Sequence, residues 1–360
     1  MTVPRRRLRT DGRSRSAWTA GMLLAVALGW PGCASPPPRE PIALPPTISL
    51  RAASDLLLDQ VEVDDQAPDW LSRERVDQGV LYGIGIQTGG GNDSEDLFLA
   101  MHAARRSIVV WLESRGAGAE GPNGHPARLR VDPEHIQFER LAHDTRTDRW
   151  YALARLAIAS EVAQIEAAVQ PLEAQLAALQ QRVDDAGIGD GARAQAALAL
   201  IEGVDLRQQY DALYHALTGG ELATPPGLED AALEARANEL LSQHGVRVAV
   251  DGGFVPGLFE AVTDVLSEFH LRTDEFGRGL VSVQIHESKG FGADNPYLEI
   301  DGFVEVAIEG GDEPGRSTPF HAVSTGATLD EARFRAAREI REEVARIVRE
   351  SLRSIGGKAA

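Results

Sequence analysis

The chain has 360 residues, of which 43% are hydrophobic, so it is long enough to bury a sizeable core in about two domains. Its 54 acidic residues outnumber its 36 lysines and arginines, which gives a formal net charge of −18 at pH 7. Six arginines and one aspartate lie in the first 32 residues, so the chain that follows carries −23. Because a body this acidic repels phosphate backbones and anionic lipid head groups, we expect no nucleic-acid partner.

The first 32 residues have the organisation of a signal peptide. Residues 1–16 are basic, and the next 14 residues, 17–30, are apolar and uncharged. A membrane-spanning helix needs about 20 apolar residues, which disfavours an uncleaved anchor. We therefore predict a signal peptide over residues 1–32. Arg6-Arg7 leaves a twin-arginine export signal as an alternative, although the surrounding residues fit that signal poorly.

Cys33 is the only cysteine of the chain, and it follows the apolar segment directly after Pro31-Gly32. With one cysteine, a disulfide within the chain is impossible. The position resembles a lipobox, in which a small residue precedes a lipidated cysteine; Gly32 fits this pattern, whereas Trp30 and Pro31 depart from it. We predict cleavage before Cys33 and attachment of lipid, such as palmitate, to that residue, which would anchor the protein to a membrane. The alternative is ordinary cleavage nearby, which would leave a free thiol.

The residues after Cys33 predict a tether and a location. Six prolines lie between residues 34 and 49, and proline-rich chain is extended and semi-rigid, so residues 33–49 are expected to lift the folded body off the bilayer. In lipoproteins generally, an aspartate after the cysteine tends to retain the protein at the inner membrane. Ala34 occupies that position and therefore favours the outer membrane, with the body facing the periplasm or the cell surface.

Residues 50–160 predict a first mixed domain with the order strand, helix, strand, strand. Val80–Ile86 has the pattern of a strand, and a triple-glycine loop follows it. Asn92 and Glu95 then form a predicted capping box for an amphipathic helix that reaches Leu112. Two further strands are predicted at 134–141 and 150–158, joined by a polar turn.

Residues 161–220 predict an α-helical hairpin. Eight apolar residues from Ile158 to Val183 recur at alternating spacings of four and three, which forms an apolar heptad repeat. Pro171 predicts a kink in this helix, and three glycines at 187–191 predict the turn before the second helix. Two interpretations of the heptad repeat stay open: packing inside the chain, or contact with a partner or a second copy.

Residues 245–356 predict a second mixed domain. Alternating apolar residues at 246–250, 281–285 and 298–308 predict half-buried antiparallel strands, and 320–324 predicts an edge strand. One helix is predicted at 255–269, and another begins after a capping box of Thr328 and Glu331. The predicted fold class is therefore α+β, with two small mixed domains of largely antiparallel sheets joined by an α-helical hairpin.

Four short motifs follow one another between residues 67 and 158: Pro68-x-Trp70, Gly83-x-Gly85 at a strand end, Ala100 with Ala104-Arg105 on a helix, and Trp150-Tyr151-Ala152-Leu153 on a closing strand. In this order, and behind a lipoprotein-like leader, they resemble a family of small bacterial envelope lipoproteins, here called the LPP-twenty family. The resemblance covers about a quarter of the chain. It implies an envelope lipoprotein, in some members linked to motility or surface structures, and it supplies no catalytic residues.

The sequence offers no pattern typical of a catalytic, cofactor or metal site, so we expect no enzyme activity, no cofactor and no metal. The glycines at 83, 85 and 89 have the wrong spacing for a dinucleotide fingerprint, and Glu95 and Asp96 would repel a pyrophosphate at the following helix start. The nine histidines include no His-Glu-x-x-His pair. His135 and His143 are predicted to flank one strand as solvated side chains. The aromatic residues Trp70, Trp111, Trp150 and Tyr151 are assigned to core packing.

These patterns together predict a membrane-anchored envelope lipoprotein with a non-catalytic binding or assembly role. Its partners would be the membrane, through lipid on Cys33, and an envelope protein or a second copy of the chain. Exposed sheet edges and the heptad repeat would provide the surfaces. Two alternatives belong to other classes: a soluble periplasmic ligand carrier with an apolar pocket of several hundred Å³, or a hydrolase whose carboxylates or histidines converge from distant parts of the sequence.

Overall fold

The computed structural model describes residues 57–116, 131–253, 255–291, 296–312 and 315–356, together with Ser54 and Leu129. These residues form two five-stranded sheets and six α-helices. The helices are α1 (Asp93–Gly116), α2 (Ile158–Asp184), α3 (Asp190–Thr218), α4 (Asp230–Gln243), α5 (Leu258–Glu268) and α6 (Leu329–Gly356). The strands are β1 (Glu62–Asp64), β2 (Val76–Asp77), β3 (Val80–Thr88), β4 (Gln137–Asp144), β5 (Arg149–Ala157), β6 (Gly245–Gly252), β7 (Arg272–Thr273), β8 (Gly279–Phe291), β9 (Pro296–Ile308) and β10 (Arg316–Thr325). The predicted α+β fold class is confirmed.

The first sheet has the strand order β1-β4-β5-β3-β2. All its pairs are antiparallel except β1 with β4. The predicted order of strand, helix, strand and strand corresponds to β3, α1, β4 and β5. At the start of α1, Asn92 Oδ1 accepts a hydrogen bond from the amide of Ser94 at 2.9 Å, and Asp96 Oδ2 accepts one from the amide of Gly90 at 3.2 Å. The acid that closes the loop is therefore Asp96, where Glu95 had been predicted.

Helix α1 lies very close to β3, and this contact explains the paired glycines of the strand. A Cβ atom on Gly85 would lie 1.9 Å from the carbonyl oxygen of Ala100, and one on Gly83 would lie 2.3 Å from that of Ala104. A side chain at either glycine position would therefore push the helix away. On the opposite face of the sheet, the ring of Trp70 meets that of Tyr151 edge-on at 6.4 Å, in the core packing predicted for both residues.

The α2–α3 hairpin buries the heptad repeat inside the chain. Six of the eight repeat positions are buried, from Ile165 to Val183, and Ile158 and Val162 are half-buried. Helix α2 continues as one element through Pro171, whose ring is exposed. The structure thus supports the interpretation that these residues pack within the chain.

Helix α3 belongs to both hydrophobic cores. Its residues from Ala194 to Val204 pack in the core under the second sheet, whereas Leu213, Ala216 and Leu217 pack in the core under the first. Alanines fill much of its surface, so neighbouring helices approach it on several sides. Helix α4, which lies in a segment that carried no sequence prediction, packs against α3 through Leu233, Ala237 and Leu241.

A buried arginine joins three of these helices. The side chain of Arg207 on α3 is 3% exposed, and its guanidinium donates to both carboxylate oxygens of Asp230 at 3.0 and 3.1 Å. It also donates to Glu173 Oε1 on α2 at 3.3 Å. Burial raises the pKa of Asp230, and the charge of Arg207 opposes that rise. The arginine therefore compensates carboxylates that would otherwise be costly to bury.

The second sheet has the strand order β10-β9-β8-β6-β7. Strands β8, β9 and β10 are antiparallel as predicted, but β6 pairs in parallel with β7 and β8, because α5 returns the chain to the same end of the sheet. Helices α5 and α6 cover one face. The other face, called the open face, carries the alternate exposed residues of these strands, including Phe303 and Val323.

Helix α6 begins with the predicted capping box. The side-chain oxygen of Thr328 accepts from the amide of Glu331 at 3.2 Å, and the Glu331 carboxylate accepts from the amide of Ala327 at 3.0 Å. The second bond reaches one residue further back than the standard box, and both satisfy amides at the helix start.

Candidate functional site

The one site residue predicted from the sequence, Cys33, lies outside the described residues, as do the predicted signal peptide (1–32) and tether (33–49). Among the residues that the structure describes, no helix combines the length and the apolarity needed to cross a membrane.

A polar cavity of about 320 Å³ lies where α3 and α4 meet the second sheet. Its walls come from the first turn of α3, the last turn of α4, the start of β6 and the turn between β7 and β8. The lining residues are Asp190, Arg193, Leu240, Gln243, His244, Gly245, Asp274, Phe276, Gly277 and Arg278. Since most of these are charged or polar, the cavity does not match the apolar pocket expected of the ligand-carrier alternative.

The β7–β8 turn holds one wall of this cavity in a fixed shape. The amide of Asp274 donates to the carbonyl of Val246 at 2.9 Å, and the Asp274 carboxylate accepts from the amide of Phe276 at 3.0 Å. That hydrogen bond, with the neighbouring Arg272, lowers the pKa of Asp274. A Cβ on Gly277 would lie 2.4 Å from the carbonyl carbon of Gly245, so only glycine lets the turn approach β6 this closely. The turn leaves the Phe276 ring 88% exposed at the rim.

Both aspartates of the cavity are paired with arginines. Arg278 Nη1 lies 2.7 Å from Asp190 Oδ2, and Arg272 Nη2 lies 2.8 Å from Asp274 Oδ2. The other arginine of the cavity lining is Arg193, whose Nε donates to the carbonyl of Val183 at 3.0 Å. The hydrolase alternative required converging carboxylates or histidines, and here each carboxylate is engaged by a cation.

His244 is the buried polar residue of the cavity. It is 6% exposed and caps the end of α4, and its Nε2 has no hydrogen-bond partner among the described residues. Burial lowers the pKa of His244, the charge of Arg278 lowers it further, and Asp190 opposes the shift. The ring is therefore neutral at pH 7, and its Nε2 can make one hydrogen bond to a water molecule or a small polar ligand.

The two histidines noted in the sequence each bind a different carboxylate. His135 Nδ1 lies 2.7 Å from Glu161 Oε2, and His143 Nε2 lies 3.0 Å from Asp148 Oδ1 while its ring stacks on Trp150 at 4.1 Å. Both were predicted to be solvated, yet both are largely covered. Burial raises the pKa of Glu161, and His135 opposes that rise. Sequence reasoning missed the first pair because its members are 26 positions apart, and the second because it spans the turn between β4 and β5.

Sequence reasoning also missed the cavity. His244 and the end of α4 lie in the unassigned segment between 220 and 245. The other walls come from parts of the chain that are far apart, since Asp190 and Arg278 are separated by 88 positions. The polar turn at 274–278 was the one local signal.

No protein-family model and no curated protein matches the chain. Several solved structures are similar to it. A secreted protein from Helicobacter pylori matches 77% of this chain and 98% of its own, with 12% identity and a TM-score of 0.33. The rare lipoprotein B from Shewanella oneidensis matches 31% of this chain and 90% of its own, with 8% identity and a TM-score of 0.20. A putative lipoprotein from Caulobacter crescentus matches 33% of this chain and 88% of its own, with 16% identity and a TM-score of 0.21. Likenesses at this level carry no functional argument.

Proposed function

We propose that this chain is an exported bacterial lipoprotein, cut before Cys33 and held on a membrane by lipid on that residue. The observation that carries the proposal is the position of the only cysteine, directly after a basic segment, a 14-residue apolar segment and Gly32. With one cysteine the chain cannot form an internal disulfide, so such a pairing does not account for Cys33.

Metabolic labelling with palmitate, combined with membrane fractionation, tests this proposal. We expect the wild type to be labelled and to sediment with membranes, and Cys33→Ala to be unlabelled and to leave them. Ser35→Ala is the matched control, because it changes a neighbouring small residue and should behave as wild type. An unlabelled, soluble wild type with an unmodified thiol would refute lipidation.

We infer that the mature protein resides at the outer membrane, facing the periplasm or the cell surface. The support is Ala34, since an aspartate at this position tends to cause inner-membrane retention. Ala34→Asp should move the protein from the outer-membrane to the inner-membrane density fraction. If the wild type already bands with inner membranes, this location is wrong, while lipidation itself is unaffected.

The folded body, we infer, has a binding or assembly role and is not an enzyme. The pairing of the cavity acids with Arg272 and Arg278 supports binding, because each carboxylate already has an arginine partner. The open face supplies a surface for a macromolecular partner. Phe303 and Val323 there are 48% and 51% exposed, and β10 ends the sheet with an edge that another strand can join.

Site-specific photo-crosslinking in cells tests the partner surface. A photoreactive residue at Val323 should give a discrete adduct, either with a second envelope protein or, at twice the chain mass, with another copy. The matched control is Phe334 on α6, which is 75% exposed and lies outside the open face. No adduct at Val323, or equal adducts at both positions, would contradict an association through this face.

We also infer that residues 67–158 are a divergent relative of the LPP-twenty family. In its support, Gly83 and Gly85 contact Ala104 and Ala100, so that two of the separate motifs form one helix-on-strand contact. A solved family member should show its glycines facing its helix in the same way. A member whose glycines lie elsewhere would remove the relationship.

A further inference from the structure

Three potential metal ligands meet on the open face of the second sheet. Glu299 and Asp301 on β9 and His321 on β10 have ligand atoms that all lie within 4.8 Å of one another. His321 Nδ1 is 2.7 Å from Asp301 Oδ1. The Asp301 and His321 side chains are 58% and 53% exposed, so an ion in solution can reach them.

The register of the strands adds a second imidazole beside this cluster. Asp301 lies directly opposite His321 on β10 and directly opposite His286 on β8, so the three residues form one row across three strands. Directly opposite residues have Cβ atoms about 4.5–5.5 Å apart and share a face. Glu299 stands in the next row, where it accepts a hydrogen bond from Ser288 at 3.4 Å. The row therefore places a carboxylate between two histidines, on long strands whose pairing has no bulge.

The charge around the cluster favours a cation. By strand alternation, the open-face positions of β8, β9 and β10 that the structure describes hold Glu299, Asp301 and Glu305 but no lysine or arginine. Arg316 and Arg333 project on the helix side, where they contact Ser354 and Glu287. This differs from the polar cavity, where arginines neutralise the aspartates.

We propose that Glu299, Asp301 and His321 bind a divalent transition-metal ion, for which Zn²⁺ is the natural probe. Imidazole nitrogen with carboxylate oxygen is a ligand set typical of zinc, whereas Mg²⁺ and Ca²⁺ prefer oxygen ligands alone. Zinc bonds of about 2.0–2.2 Å in tetrahedral geometry separate two ligands by about 3.3 Å. The His321–Asp301 pair must therefore open slightly from 2.7 Å, which two exposed side chains can do by rotation. A water molecule can complete the tetrahedral coordination.

Isothermal titration with ZnCl₂ tests the site in the full chain, prepared without an affinity tag and dialysed against a chelator. Cys33→Ala serves as the parent, so that no thiol competes for zinc. We expect the parent to bind one Zn²⁺ per chain. His321→Ala and, independently, Asp301→Asn should abolish this binding or weaken the zinc affinity at least about tenfold. Glu305→Gln, on the same strand and face, is the matched control and should bind as the parent does. MgCl₂ should give no comparable binding.

Equal zinc affinity in the parent and in both ligand variants, or no zinc binding by the parent, would overturn the proposal. Circular dichroism of each variant separates loss of a ligand from loss of the fold, and two variants on different strands guard against one misfolding. The site does not depend on the lipid anchor, since titration uses a chain that cannot be lipidated. Its failure would leave the proposed lipidation standing, and the reverse also holds.

Discussion

Replacing Gly85 by alanine should destabilise the protein sharply, because it separates α1 from the first sheet. The added Cβ would lie 1.9 Å from the Ala100 carbonyl oxygen and 2.4 Å from the Ala104 amide nitrogen. Both neighbours are helix backbone and cannot rotate away, so α1 must move by about 1.5 Å to restore ordinary contact. Overpacking of this kind costs about 3 kcal/mol, at the upper end of the usual range.

Thermal unfolding measures this loss. For a chain of this size, about 3 kcal/mol corresponds to a melting temperature lower by about 4 °C. Gly91→Ala is the matched control, since a Cβ there meets no atom within 4 Å, and its melting temperature should change by at most about 1 °C. If Gly85→Ala has the melting temperature of the wild type, or if both variants lower the melting temperature equally, the close helix–strand contact is not what requires glycine at this position.

Three further predictions concern the helical core and the cavity. Arg207→Met should lower the free energy of unfolding by about 3–5 kcal/mol, because it leaves the half-buried carboxylate of Asp230 without its partner; an unchanged midpoint of chemical denaturation would contradict this. Leu176→Ala should lower the free energy of unfolding by about 2–5 kcal/mol without changing the mass measured by light scattering, because Leu176 is fully buried within the chain. A change in mass without a loss of stability would instead favour contact of the heptad repeat with a partner. The pKa of His244 is lowered from 6.5 in the folded state, so the unfolded chain binds the proton more readily. The stability that is linked to the neutral ring is therefore present above pH 6.5 and is lost on acidification. His244→Gln should flatten that part of the stability–pH curve, and an identical curve would show that His244 does not titrate on unfolding.

The sequence predicted the elements whose apolar spacing is regular. Strand β9 alternates buried and exposed residues along most of its length, and α6 begins at a capping box that is readable as Thr328 and Glu331. The α2 heptad repeat was equally visible. Its burial was not, because spacing shows that a face is apolar and does not show which surface covers it.

Elements with few apolar residues escaped prediction. Strands β2 and β7 have two residues each, too few for any periodicity, and they pair only because longer strands lie beside them. Helix α4 buries a narrow stripe whose central residue is Ala237, a weak signal in a polar segment. The parallel pairing of β6 could not be read either, since alternation marks a half-covered strand in either orientation.

The clusters of ionisable residues could not be predicted from the sequence for a different reason. The pairs Arg207–Asp230 and His135–Glu161 join residues that are 23 and 26 positions apart, and only the packing of their helices and strands brings them together. The histidine row on the open face depends on the register of three strands, which a one-residue slip would destroy. Local sequence spacing therefore predicts motifs such as helix caps, but it does not predict sites that are assembled from several strands of a sheet.

The two polar regions differ in what surrounds their acids, and this difference decides what each can bind. In the cavity, Arg272 and Arg278 neutralise Asp274 and Asp190, so a cation entering there would have to displace an arginine. On the open face, Asp301 is hydrogen-bonded to the imidazole of His321, and among the described residues of β8, β9 and β10 no lysine or arginine shares its face. A divalent cation can therefore bind there without displacing an arginine, whereas the cavity should show no preference for cations. Measuring zinc affinity in Asp301→Asn and in Asp190→Asn would separate the two regions, because only the first substitution should weaken zinc binding.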